Sequence, residues 1–124
     1  MPTLQIDQLS RTEIVRYLGA SGDFNPLHHS DEFVKQGGQD GVIAPGMLIA
    51  GIASSALTQW VPVRTVTRFR TRFVNTVRPG DSLIVTGKVS KIDSDNGEMT
   101  AEVDISVENA DGTVVLDGDA TIRH

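Results

Sequence analysis

Pro45-Gly46-Met47-Leu48-Ile49-Ala50-Gly51-Ile52-Ala53-Ser54-Ser55-Ala56-Leu57-Thr58-Gln59-Trp60 is apolar or small at nearly every position. Proline suits a first helical position, because its missing N–H would lack a partner there and its φ is already set for a helix. A helix with no polar side should be buried. Gly51, Ala53, Ser54, Ser55 and Ala56 are small enough to let a sheet approach the helix backbone closely. Beyond Pro62 the period changes from helical to two. Residues 63–77, 82–93, 98–109 and 113–123 read as four strands. The turn pairs Pro79-Gly80, Asn96-Gly97 and Asp111-Gly112 separate them. Such short connections imply antiparallel neighbours. Alternation along Val103, Ile105, Val107 and along Val114, Leu116 predicts one covered and one wetter sheet face. One buried helix followed by an antiparallel meander makes an α+β domain whose sheet wraps around the helix.

Upstream, Ser10-Arg11-Thr12-Glu13 fits a capping box, with Ser10 as N-cap and Glu13 three residues on. The helix should run to about Ala20 and bury Ile14, Tyr17 and Leu18. Ser30 is placed to cap a short helix through Gln36, which Gly37-Gly38 would end. At 124 residues the chain has length for one domain, 1–124, with a single core. A net charge of −5 argues against a general nucleic-acid surface. The absence of cysteine excludes disulfides, thiol catalysis and thiolate metal sites. Residues 1–10 carry neither a basic start nor an apolar run, so no secretory signal is visible. The apolar stretch near residues 42–57 is too short and too interrupted to span a bilayer. A cytoplasmic location without membrane attachment is the expectation.

Between the first two helices lies Gly22-Asp23-Phe24-Asn25-Pro26-Leu27-His28. Asn-Pro breaks regular structure, since proline lacks a donor and restricts the residue before it. A stiff irregular loop can hold Asp23 and His28 on one water molecule, as general acid–base chemistry requires. The same residues also fit an Asx-type turn with an incidental histidine. Spacing alone does not separate the two.

Tyr17-Leu18-Gly19-Ala20-Ser21-Gly22-Asp23-Phe24-Asn25-Pro26-Leu27-His28 resembles the signature of the MaoC-like, (R)-specific enoyl thioester hydratases. Gly41-Val42-Ile43-Ala44-Pro45-Gly46-Met47-Leu48 resembles the start of that family's central helix, and Arg72-Phe73 with Val77-Arg78-Pro79-Gly80-Asp81 its next strand and turn. The likeness covers roughly residues 10–90. It implies a single hotdog fold and reversible hydration of trans-2-enoyl thioesters of coenzyme A or acyl carrier protein. By that resemblance Asp23 and His28 hold the water and Asn25 helps hold the site. The Gly46 N–H, unpaired at a helix start where the dipole favours negative charge, serves as oxyanion donor. Ser54, eight residues on and roughly the same side, matches a serine lining the site in some relatives. Imidazole titrates nearest to neutrality among side chains, which suits His28 to proton exchange in either direction.

Each assignment has a plainer alternative. Asn25 could simply bond its own backbone in a turn, Gly46 could be an ordinary helix start, and Ser54 a packing residue. His29, one residue past the signature, reads as structural or exposed. Many family members have histidine before the glycine; Pro45 stands there, which leaves the amide but puts the pocket shape in doubt. Arg68, Arg70 and Arg72 share a strand face opposite Phe69 and Phe73. They suit coenzyme A phosphates or an acidic carrier, but pairing with acids on a neighbouring strand, or a solvated face, is the preferred reading. No phosphate-binding glycine loop, metal-ligand cluster or nucleophile elbow is visible, so no cofactor is implied. A sheet edge left open implies a homodimer, or a heterodimer in which this chain is the catalytic half. A hotdog thioesterase and a non-catalytic acyl-binding subunit are the competing readings.

Overall fold

The computed structural model describes residues 1–95 and 97–124, so the Asn96 half of the Asn96-Gly97 turn lies outside it. Strand β1, Leu4–Ile6, leads to helix α1, Arg11–Ser21, helix α2, Asp31–Gln36, and helix α3, Gly46–Trp60. Strands β2, Val66–Phe73, β3, Leu83–Asp95, β4, Glu98–Asn109, and β5, Val114–Arg123, follow. All strand pairs are antiparallel, in the order β1-β3-β4-β5-β2. The sheet packs on α3, which is the expected hotdog arrangement. Among the described residues, no helix is long and apolar enough to cross a membrane.

The local signals upstream act as their chemistry requires. Glu13 N–H donates to Ser10 Oγ at 3.1 Å, and Ser10 N–H donates to Glu13 Oε2 at 2.7 Å. The Ser10 amide holds the Glu13 carboxyl below its usual range. Ile14 and Leu18 are buried, while Tyr17 is only half-buried. Ser30 caps α2 through the Phe33 amide, and Gly37 with left-handed Gly38 (φ 74°) ends it. Arg11 joins the two helices with two hydrogen bonds to Asp31, at 2.8 and 2.9 Å.

Several expectations need correction. The strand expected over residues 63–77 is a 3₁₀ turn at Val63–Thr65, a strand over Val66–Phe73 and an irregular exit. Strand β2 also does not neighbour β3. It pairs with β5 at the opposite edge, so the sheet is not a plain meander. Pro79-Gly80 is a turn, but one that ties the chain to the N-terminal segment: Gly80 N–H donates to Leu9 O and Leu9 N–H to Asp81 O. Another concerns α3. Ile49, Ala50, Ala53, Ala56 and Leu57 are buried, but Met47, Gly51, Ser55, Thr58 and Gln59 are exposed. A five-stranded sheet curls round one side of a helix and leaves the other open. Helix α3 also starts one residue late, with Pro45 as N-cap and Gly46 as the first helical residue. Short β1 carried too few residues to show alternation.

The core lies between α3 and the inward positions of the sheet, including Val85, Val103, Ile105, Val107, Leu116 and Ala120. In β5 the alternation fails. Val115 and Leu116 are both buried, because the register with β4 shifts between Val107 and Glu108. Gly118 sits between Ile105 of β4 and Thr71 of β2. A Cβ built there would stand only 2.2 Å from the Arg70 carbonyl oxygen.

The arginine stripe meets acids on β5. Arg68 and Arg70 lie 2.9 and 2.8 Å from Asp119, and Arg72 lies 2.6 Å from Asp117. The Arg72 hydrogen bond holds the Asp117 carboxyl below its usual range, and Arg11 does the same for Asp31. A carboxyl whose folded pKa is depressed adds stability above its unfolded pKa and loses it as pH falls through the folded one. Urea midpoints should therefore drop below about pH 4, and the drop should be shallower in an Arg11→Gln, Arg72→Gln double variant. Equal acid dependence in the two proteins would show that these pairs do not control it.

Candidate active site

Helix α1 ends at Gly22, whose φ of 72° is left-handed and favours glycine. The chain then turns through a relay of side-chain bonds. Ser21 Oγ accepts from the Asp23 N–H at 3.3 Å, Asp23 Oδ1 from the Asn25 N–H at 3.2 Å, and Asn25 Oδ1 from the Leu27 N–H at 3.0 Å. Each side chain ties down the backbone two residues ahead. Asn25 thereby caps the 3₁₀ turn Pro26–His28 and is itself exposed. Its observed bond is the turn bond. His29 is exposed, and its Nε2–H donates to the Phe24 carbonyl at 3.1 Å.

His28 Nδ1 lies 2.8 Å from the Ile43 carbonyl oxygen. A carbonyl only accepts, so Nδ1 carries the proton and Nε2 of the neutral ring keeps a free lone pair. That Nε2 stands 3.6 Å from Asp23 Oδ2. The gap is too long for a direct hydrogen bond, but one water oxygen about 2.8 Å from each atom completes a triangle. The imidazole is largely enclosed, at 12% side-chain exposure, whereas the carboxylate is 40% exposed. The structure thus brings Asp23 and His28 together with the carboxylate open to an incoming molecule.

The chain approaching α3 is held from both sides. Ile43 N–H donates to Leu27 O at 3.2 Å, and Ala44 N–H donates to Val77 O at 2.7 Å. Arg78 Nη1 donates to the Gly41 carbonyl at 3.0 Å from a half-buried position. The loop that anchors His28 is therefore the loop that leads into Gly46. Gly46, the first helical residue, has an N–H with no protein acceptor among the described residues. The sequence motifs that contain Arg78 and Ile43 do not reveal these contacts. Ile43 acts through its backbone, which no side-chain pattern reports, and Arg78 reaches across 37 residues. Removing its charged donor in Arg78→Met should lower stability by about 1–2 kcal/mol, read from urea unfolding. Unchanged stability would show that the clamp is idle.

An apolar hollow of about 200 Å³ opens beside Gly46, between the start of α3, Phe73 and Val115. Ser54 does not face it. Its Oγ donates to the Gly51 carbonyl at 3.0 Å, and it lines a separate groove of about 500 Å³ with Leu4, Tyr17, Leu48 and Ile52 on the uncovered side of α3. A further hollow of about 580 Å³ lies among the ion pairs of β2 and β5, away from all these residues.

The family profile described as MaoC like domain matches residues 2–112. The chain belongs to the MaoC-like family. A tomato (Solanum lycopersicum) protein, the mitochondrial 3-hydroxyacyl-[acyl-carrier-protein] dehydratase FERN, is 27% identical over 109 residues, covering 88% of this chain and 66% of its own length. The peroxisomal enoyl-CoA hydratase 2 of Arabidopsis thaliana is 40% identical over 67 residues, or 52% of this chain and 22% of its own. Across the curated relatives it matches, the chain spans from 5% to 66% of their length. In fold, the MaoC-like chain is similar to the (R)-hydratase from A. caviae involved in PHA biosynthesis. The TM-score is 0.85 at 24% identity, covering 98% of this chain and 91% of that one.

Proposed function

We propose that this MaoC-like chain, a single hotdog unit over residues 1–124, hydrates trans-2-enoyl thioesters to (3R)-hydroxyacyl thioesters and runs the reverse dehydration. The observation that carries this reading is the 3.6 Å gap between His28 Nε2 and Asp23 Oδ2, with Nδ1 committed to Ile43. A water there donates one hydrogen to each and presents its oxygen lone pairs outward. The oxygen bonds to C3 as the C2–C3 π bond breaks, and electron density moves to the thioester oxygen. The Gly46 N–H, at the positive end of α3, is the donor for that developing charge. The pair takes the water's proton, and a proton is delivered to C2 from the same face. Water is thus divided between C3 and C2 with nothing left over.

Coenzyme A and acyl carrier protein are both suitable carriers. The uncovered side of α3, including Met47 at 62% exposure, and the open edge of β2 support work beside a second hotdog subunit, either its own copy or a partner. The test is purified protein with crotonyl-CoA, following loss of the conjugated enoyl absorbance and assigning the product's configuration. Accumulation of (R)-3-hydroxybutyryl-CoA is expected. Release of free coenzyme A from the unhydrated substrate would contradict the reading and indicate a thioesterase.

A further inference from the structure

We infer that Phe73 sets acyl-chain length, its ring roofing the hollow beside Gly46 that receives the hydrocarbon tail of the substrate. This rests on the hydratase reading for the placement of the thioester at Gly46, but the ring's position is independent of it. A Cβ built on Gly46 would lie 3.0–3.1 Å from three atoms of the Phe73 ring. The ring therefore lies directly against the start of α3, and glycine is the residue that admits it. Ile49, Val77 and Val115, all nearly fully buried, form the floor beneath.

Phe73 is anchored in backbone and loose in side chain. It is the last residue of β2, and the two residues after it are tied to β5. Val74 and Asn75 N–H groups donate to Val115 O at 2.9 and 3.3 Å, and Asn75 Nδ2 donates to Val114 O at 2.8 Å. The residue as a whole is 52% exposed, so rotation about χ1 can move the ring outward without disturbing the sheet. A fixed hinge in a half-exposed residue is suited to covering an occupant of variable length.

The hollow favours a hydrocarbon over the carrier arm. Asn75 gives one side-chain N–H to Val114 O, which leaves its Oδ1, its second N–H and the Thr76 hydroxyl as the polar side-chain groups, all at the lip. Beneath them the floor of Ile49, Val77 and Val115 offers the amides of a pantetheine arm no side-chain partner. About 200 Å³ holds on the order of six carbon-sized groups at ~30 Å³ each, which suits a short acyl tail.

The test compares wild type, Phe73→Ala and the floor variant Val115→Phe on four-carbon and eight-carbon trans-2-enoyl-CoA. Calorimetric binding of butanoyl-CoA and octanoyl-CoA, which cannot be hydrated, is measured in parallel. Opening the roof of two or more methylenes' worth of contact should raise the eight- to four-carbon ratio of kcat/KM about tenfold, through KM. The binding ratio should rise equally, with the melting temperature nearly unchanged because the residue is half-exposed. Val115→Phe should move both ratios the other way. Unchanged ratios in Phe73→Ala, for turnover and binding alike, would overturn the assignment while leaving hydration intact. A shifted binding ratio in a protein with no hydratase turnover would instead retain Phe73 and reject the hydratase reading.

Discussion

Asp23→Asn and His28→Asn are each expected to slow enoyl thioester hydration by about 10²–10⁴-fold while leaving the chain folded. The substitutions are chosen so that the loop survives. Asparagine at 23 keeps an oxygen for the Asn25 N–H, which Asp23 Oδ1 holds at 3.2 Å. Asparagine at 28 can place its amide nitrogen near the position of Nδ1 and so keep the bond to the Ile43 carbonyl. What it loses is Nε2, the atom 3.6 Å from Asp23. The double variant should be little slower than the worse single one, because in the proposed reaction the two groups act on one water and their losses do not add. Steady-state kinetics with melting curves on each variant checks this. Activity within about threefold of wild type in both single variants would remove the pair from the chemistry.

The largest stability effect is expected at Gly118→Ala. The added methyl would lie 2.2 Å from the Arg70 carbonyl oxygen and 3.1 Å from Thr71 Cα. Both are backbone atoms, so no side-chain rotation relieves the clash. Among the described residues strand β2 pairs only with β5, and it is the strand that must yield. A loss of about 3 kcal/mol is expected, at the upper end for overpacking, or roughly 10 °C in melting temperature. Gly51→Ala is the control. It lies on the exposed side of α3 with nothing within 4 Å of its added Cβ, so alanine there should stabilise by about 0.5–1 kcal/mol. Opposite signs at the two glycines separate steric crowding from general helix and strand preferences. A Gly118→Ala protein as stable as wild type would mean that β2 packs on β5 less closely than described.

What the sequence made legible follows the range of the interactions. The Ser10–Glu13 box, the Ser30 cap and the Gly37-Gly38 stop act within a few residues, and each was readable. The four long strands were readable from alternation, except where the shift before Glu108 buries adjacent Val115 and Leu116. The pairing of β2 with β5 was not. Turn chemistry at Pro79-Gly80 shows that the chain bends, but the long-range bonds with Leu9 decide where it goes. Composition likewise shows that α3 is apolar all round, without showing that this sheet covers one side.

The site divides along the same line. Asp23 and His28 are five residues apart on one loop, so their proximity is local and was legible. The tautomer of His28 depends on the Ile43 carbonyl, fifteen residues away. Phe73 and Gly46 meet only because β2 ends beside the start of α3. Ser54, read as lying on Gly46's side, is eight residues along α3 and therefore turned by about 80° at roughly 100° per residue. That rotation carries it into a different groove from the one at Gly46.

Incubation of crotonyl-CoA with the protein in water enriched in oxygen-18, followed by mass spectrometry of the acyl product, tests water addition most directly. Label in the 3-hydroxyl of an unbroken thioester of R configuration, lost in the Asp23→Asn variant, is the expected result. Label in a released carboxylate beside free coenzyme A, or hydration that persists undiminished without Asp23, would contradict it.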